Sequence, residues 1–426
     1  MSRPSTKRTR AGLAMGVLIA LLPVSPAYSQ PVSVVQAAMR DTAVQAAIAA
    51  ARRDEQHTVA DQIRFCEVPA PPFQELARAR LLRREFAAAG LANVRMDRVG
   101  NVLGDRPGTS STGPRVVIAS HLDTVFPENT DVRVRREGAV LHGPGIGDNC
   151  RGLAVMMRIV HALNAAGVRT PGTLTFVANV GEEGLGDLRG IKALFDETLP
   201  GRIDRFVSID GAGMHITHTA VGSRRYRVTF KGPGGHSFGA FGLPNPIHAQ
   251  GRAIAAIGDL QVPRDPRTTF NVGRIGGGTS VNAIPSEAWM EVDMRSSDAA
   301  ALNRLVQQVD QAIDRAVLEE NVRWKRPGVV TVERQLVGDR PAGSLPVSAP
   351  IVQVARAVAQ ALSFQAPLGE GSTDANIAIS LGIPAIAIGG GGRGMDVHAV
   401  GESFDTTNAW QGTVNALVLA VALAQP

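Results

Sequence analysis

The chain has 426 residues, 44% of them hydrophobic and 19% charged. That is enough for two compact domains and a sizeable core, and it excludes a disordered or low-complexity chain. Its formal charge of +6 is concentrated at the start, where Arg3, Lys7, Arg8 and Arg10 precede the first acid, Asp41, so the chain from residue 30 onward carries only +2 and offers no electrostatic reason to bind nucleic acid.

The basic stretch leads into an apolar run over residues 11–24, and Ala27-Tyr28-Ser29 supplies small residues at cleavage spacing. This predicts a signal peptide over residues 1–29, cut near Ser29/Gln30. The mature protein is then periplasmic or secreted, with no stable membrane insertion after cleavage. The run is about fourteen residues, short of the ~20 that span a bilayer as a helix; an uncleaved anchor is the competing reading. Two cysteines, Cys66 and Cys150, exclude a disulfide-built scaffold. An oxidising compartment permits one bridge between them, and two buried thiols suit the sequence equally.

Apolar spacing and helix-forming residues predict helices over 35–51 and 74–89, separated by the break Val68-Pro69-Ala70-Pro71-Pro72. The segment RVVIAS over 115–120 reads as a short buried strand that ends at His121. A helix over 152–166 follows, then a buried strand over 172–180, a helix over 190–197 and a strand over 205–209 that ends at Asp210. This alternation predicts an α/β domain built on an open, mostly parallel sheet with helices on both faces.

The middle of the chain changes pattern. Residues 224–231, 268–275, 287–295 and 328–333 read as strands, with helices over 245–257 and 302–317 between them. Ala288, Met290, Val292 and Met294 fall on one face of the third of these strands. The order β-α-β-β-α-β predicts an inserted ferredoxin-like α+β domain over 224–335, acting as lid and dimerisation domain. The larger domain, 30–223, then resumes over 336–426 with helices over 349–362, 374–381 and 406–424 and a strand over 384–388.

Ligands and catalysts of open α/β sheets gather beyond the carboxyl ends of the strands. His121 and Asp123 stand there in Ser-His-Leu-Asp-Thr-Val, Glu182 and Glu183 in Gly-Glu-Glu-Gly-Leu-Gly-Asp, and Asp210 in Ser-Ile-Asp-Gly-Ala-Gly. Asp148 lies in the loop Gly-Pro-Gly-Ile-Gly-Asp-Asn, and His398 in Gly-Met-Asp-Val-His-Ala. Singly, each has an ordinary explanation as a helix cap, a solvated loop or an edge residue. Together they are the imidazole and carboxylate groups that zinc accepts, and the adjacent glutamates repel unless a cation separates their roles. Residues 389–394, GGGGRG, match a dinucleotide-loop pattern but neither open a helix nor precede an acid at the required distance. A periplasmic solute-binding protein would also suit two domains and a leader, but it needs no such carboxylate pair. His161 falls in a helix and His215 and His218 in a strand, where structural roles are expected; Cys150 reads as a packing residue rather than a nucleophile.

The ordered set SHLDTVF, GPGIGDN, GEEGLGD, SIDGAG, GPGGHS, SVNAIPSEAWMEVDMRS and GMDVHAVGE resembles the two-zinc exopeptidases and aminoacylases that include peptidase T, glutamate carboxypeptidase and aminoacylase. The likeness runs from about residue 60 to the C-terminus and is greatest to the peptidase T-like branch. It implies two Zn2+ per chain, with Co2+ or Mn2+ as substitutes. His121 and Asp210 would hold one ion, Glu183 and His398 the other, and Asp148 would bridge them. Asp123 would receive the second ring N–H of His121. Glu182 would take a proton from the attacking water and pass it to the leaving amine. His236, in Gly-Pro-Gly-Gly-His-Ser, would stabilise the oxyanion, supplied by the neighbouring subunit of a homodimer; a plain turn histidine is the alternative. Asn282 and Arg295 would orient substrate, Arg295 through its fork of donors unless an ion pair with Asp293 occupies it. The resemblance implies a hydrolase of short peptides of the aminopeptidase, tripeptidase or dipeptidase type. Carboxypeptidase or N-acyl-amino-acid amidohydrolase action is the alternative.

Overall fold

The computed structural model describes residues 31–426; the leader expected over 1–29 lies outside the described residues. At the centre of a nine-stranded sheet, strands Thr173–Asn179, Arg115–His121, Arg205–Ile209 and Ala385–Ile388 run parallel, side by side. Antiparallel strands finish both flanks. Val102–Arg106 and then Ala92–Met96 lie on one side, and Ile216–Ala220 with Gly343–Ser344 on the other.

Each central strand is buried on both faces, which is why it reads as an apolar run rather than as an alternation. Val116 and Ile118 join one core with Phe176, Val207 and Ile388, while Val117 and Ala119 join the other with Val177, Phe206 and Ala387. Helices Pro31–Arg40, Thr42–Arg53, Cys150–Ala165, Pro350–Ala361 and Trp410–Leu423 cover the first face; Arg189–Ala193 and Ala375–Ser380 cover the second. Full burial of a Val, Ile or Phe side chain stabilises by about 1.5–3 kcal/mol.

Two differences from the sequence reading have local causes. The single helix expected over 35–51 is divided at Asp41, whose extended backbone ends one helix and whose carboxylate caps the next by accepting from the amides of Ala43 and Val44. Helix Glu55–Cys66 was not expected. Its buried face mixes Val59 and Phe65 with Thr58 and Gln62, and the polar pair obscures the apolar stripe.

Strands Thr268–Gly277, Glu287–Ser296, Gly222–Lys231 and Thr331–Arg340 form, in that spatial order, a wholly antiparallel second sheet. Helices Pro246–Gly258 and Ala299–Arg323 pack on one face of it, giving the ferredoxin-like order. Met290, Val292 and Met294 face these helices, so alternation turns Asp293 and Arg295 to the opposite face. At the root of the insert, Asp187 accepts from the amide of Asp339 at 2.9 Å and from Lys192 Nζ at 2.6 Å, joining the last inserted strand to the loop that follows Glu183.

Candidate active site

His121 is the last residue of its strand, Asp210 follows the end of Arg205–Ile209, and the glutamates follow Thr173–Asn179. Three neighbouring parallel strands thus deliver their side chains to one edge. The loop that carries Asp148 is held from both sides. The buried Glu402 carboxylate accepts from the amides of Gly145 (3.0 Å), Gly147 (2.8 Å) and Asp148 (3.1 Å). Asn149 Nδ2 donates to Ser120 Oγ at 3.0 Å and to the Ile209 carbonyl at 2.9 Å, while its Oδ1 accepts from the Gly152 amide at 3.1 Å. A Cβ at Gly152 would come within 2.2 Å of Asn149 Oδ1 and 2.4 Å of Ser120 Oγ, so only glycine allows this approach.

His121 Nε2 lies 3.1 Å from Asp148 Oδ1 and 3.4 Å from Asp210 Oδ1. On the other side, His398 Nε2 lies 3.2 Å from Asp148 Oδ2 and 3.0 Å from Glu183 Oε1. The donor atoms of His121, Asp148 and Asp210 lie within 4.8 Å of one another, as do those of Asp148, Glu183 and His398. Two three-residue sets therefore share Asp148, one carboxylate oxygen turned to each. Glu182 joins a third set with His121 and Glu183.

Carboxylates dominate the electrostatics of this cluster. Burial would depress the His121 imidazole, but Asp123, Asp148 and Asp210 outweigh it and push its pKa well above the usual range. His398 is raised to about 10 by Asp148 and Glu183. Burial raises Glu183 against the pull of His398, and raises Asp374, behind the site, to about 7.

The second ring nitrogen of His121 is nearer to the Asp123 backbone oxygen, at 3.0 Å, than to its Oδ1, at 3.7 Å. The Asp123 carboxylate also accepts from the amides of Glu182 (3.0 Å) and Glu183 (2.7 Å). It therefore fixes the backbone of both glutamates as well as flanking the imidazole.

Residues 117–422 match the sequence pattern of Peptidase family M20/M25/M40. The chain belongs to this family. It is 28% identical over 274 residues to a succinyl-diaminopimelate desuccinylase of Bordetella avium, covering 60% of this chain and 69% of that one. The crystal structure of aminopeptidase PepT from Bacillus cereus superposes with a TM-score of 0.69 at 22% identity, covering 87% of this chain and 98% of that one. That of the YxeP protein of Bacillus subtilis, described as a dinuclear metal-binding peptidase of family M20, has a TM-score of 0.64 at 16% identity, covering 87% and 98%. The fold is thus that of M20 peptidases, and the chain is a hydrolase of the metallopeptidase and amidohydrolase type.

In this M20 chain Asp148, Glu183, Asp210 and His398 line a cavity of about 600 Å³, whose wall also carries Arg225 and Arg295 from the inserted domain. Asp293 accepts from Arg225 Nε at 2.8 Å and from Arg295 Nε at 2.7 Å, so Arg295 both lines the cavity and holds the ion pair anticipated as its alternative. His236 and Asn282 are brought together elsewhere. His236 pairs with Ala283 in a two-stranded ribbon, and the Asn282 carbonyl accepts from the Ser237 amide at 2.9 Å. Both side chains are exposed, and neither lines the cavity of its own chain.

Sequence reasoning missed several residues here. The buried Arg340 donates to Glu182 Oε1 at 2.8 Å and also to the Glu182 backbone oxygen. Burial pushes Glu182 well above the carboxylate range while Arg340 pulls it down and Glu183 pushes it up. Asp374 accepts from Asn179 Nδ2 at 2.8 Å. His215, read as structural, lines the cavity, and burial lowers its pKa despite nearby Asp210. Arg340 carries no local signal, being one arginine at a strand end. Asp374 and Glu402 had one, an acid beside small residues in Gly-Ser-Thr-Asp and Val-Gly-Glu.

Proposed function

We propose that the chain is a two-zinc exopeptidase of the aminopeptidase, tripeptidase or dipeptidase type, and that it cleaves the amide bond of a short peptide. The observation that carries this reading is the pair of ligand sets sharing Asp148 with Glu182 beside them. The donors fit zinc: imidazole and carboxylate only, three per ion, with coordination left for water and substrate. Five acidic side chains around His121 and His398 also repel one another unless cations lie among them. Zinc in such a pair supplies a Lewis acid for the scissile carbonyl and lowers the pKa of water.

Glu182 is free of ligand duty in this reading. It takes the proton of the attacking water and returns it to the leaving nitrogen. Its burial raises its proton affinity, and the Arg340 guanidinium opposes that rise. Arg295 binds a substrate carboxylate through two parallel N–H donors, while Asp293, itself held by Arg225, orients its guanidinium. His236 and Asn282 serve a neighbouring subunit: the inserted domain, residues 224–335, forms the homodimer contact and carries His236 to the partner's oxyanion. Exposed Phe238, Phe241 and Val281 around that ribbon support a partner surface. The leader directs the protein to the periplasm or outside the cell. Among the described residues no helix is long and apolar enough to cross a membrane.

A second reading, amidohydrolysis of N-acyl amino acids or carboxypeptidase action, is favoured by the sequence likeness to a desuccinylase. Metal analysis of the purified chain alongside a panel of di- and tripeptides and N-acyl amino acids tests both. Close to two zincs and chelator-sensitive peptide cleavage are expected. Two zincs with deacylation alone moves the assignment to the second reading, and no metal with no rescue by added zinc overturns both.

A further inference from the structure

We propose that Cys66 and Cys150 form an intramolecular disulfide that ties the N-terminal helices to the loop presenting Asp148. Cys66 is the last residue of helix Glu55–Cys66 and Cys150 the first of helix Cys150–Ala165. The two helices pack against each other, and both cysteines lie against residues 144–145 of the Asp148 loop, the Cys150 amide donating to the Gly145 carbonyl at 3.2 Å. Both are fully buried, in one cluster with Val59, Leu141, Ile146, Phe404 and Ala409. Cys66 Sγ donates to the Pro144 carbonyl, 3.4 Å away, within the Asp148 loop. No third cysteine competes for either sulfur.

A disulfide needs the two sulfurs at about 2.05 Å, and side-chain rotation at the two packed helix ends must bring them there. Closing the bond breaks two S–H bonds and forms one S–S. Two protons and two electrons pass to a disulfide oxidant such as oxidised glutathione, which leaves as two thiols. Because no solvent reaches either sulfur in the folded chain, the bond closes as the helices dock. The closed loop runs from residue 66 to 150 and contains His121, Asp123 and Asp148. The bond therefore restrains one strand end and the Asp148 loop together, whatever substrate the cavity takes.

The test is to export the full chain to the periplasm of a bacterial host, purify it without reductant, and trap free thiols with N-ethylmaleimide in denaturant. Intact mass showing no maleimide, with a proteolytic fragment joining the two cysteine peptides, is the expected result. Two maleimides per chain, or glutathione adducts without the joined fragment, overturn the proposal. Reduction in denaturant followed by refolding in a glutathione buffer with zinc gives a second measurement. The oxidised form is expected to melt roughly 5 °C above the reduced one, and coincident melting of the two forms also overturns the proposal.

Discussion

The Glu182 carboxylate stands between opposite influences: burial and Glu183 favour its protonated form, and Arg340 favours its charge. Replacing Arg340 by Gln leaves the Glu182 charge buried without its cation, so the pKa of Glu182 rises further. If Glu182 is the general base, the acid limb of the pH–kcat profile moves up by about one unit, and kcat near neutrality falls by about tenfold. Arg340→Lys restores part of both, because a single cation still reaches Oε1. A variant that melts earlier but keeps the wild-type profile assigns Arg340 to stability alone. Sequence could not have shown this pair, because the two residues are far apart in the chain and meet only where the inserted domain returns to the larger one.

At the scale of elements, the strand Glu287–Ser296 explains how a core face and a binding face come from one segment. Its even residues pack on the helices of the inserted domain, so its odd residues face away from them and Arg295 reaches the cavity. The alternation was legible because period two is the direct signature of a half-buried strand; the side-chain competition at Asp293 was legible only as an alternative. Arg225 and Arg295 share that one carboxylate, so neither guanidinium is fully neutralised. A charge-assisted bond to a substrate carboxylate is worth about 1.5–3 kcal/mol. Arg295→Ala is therefore expected to raise KM roughly 10- to 100-fold for substrates with a free carboxylate, with a smaller change for their amides. Arg295→Lys should recover little, since a point charge lacks the fork. Equal losses on acid and amide substrates would remove the carboxylate from the role. The ribbon holding His236 has the opposite character. His236 was legible only through the resemblance that the stretch GPGGHS carries, and its exposure follows from folding alone.

The whole molecule decides whether that ribbon acts. The sequence motifs lie on the open sheet's edge, on the inserted domain, or, for residues 143–149 and 394–402, beside a separate four-stranded sheet. His121, Glu183 and Asp210 converge because parallel strands end together, while Asp148 and His398 reach them from loops of a separate small sheet; strand order creates that relation and the linear text only hints at it. His236 does not converge with them in its own chain. If a partner supplies it, Glu182→Gln and His236→Ala homodimers are each inactive. Mixed and exchanged, they should regain about a quarter of wild-type activity, because half the dimers are hybrid and each hybrid holds one intact site. Persistent inactivity after verified subunit exchange would remove His236 from the partner's site.

The same convergence sets how stability responds to pH once metal is removed. Burial raises Glu402 and Asp374 to about 7, and neighbouring carboxylates raise His398 to about 10. A folded pKa above the unfolded one means tighter proton binding in the folded state. Each such group gives its full stabilisation below its unfolded pKa and loses it as pH rises through the folded value. Asp123 is lowered and acts oppositely, losing its contribution as pH falls toward its own depressed pKa. The metal-free protein is therefore expected to be most stable in mild acid and to lose roughly 5 °C or more in melting temperature between pH 5 and 8. Zinc reverses the trend, because it binds ionised carboxylates and neutral imidazoles and so gains affinity as these groups lose protons. Melting curves of chelated and zinc-loaded protein from pH 5 to 8 should diverge steadily. A separation that stays constant or narrows would mean that the acidic cluster does not hold the metal.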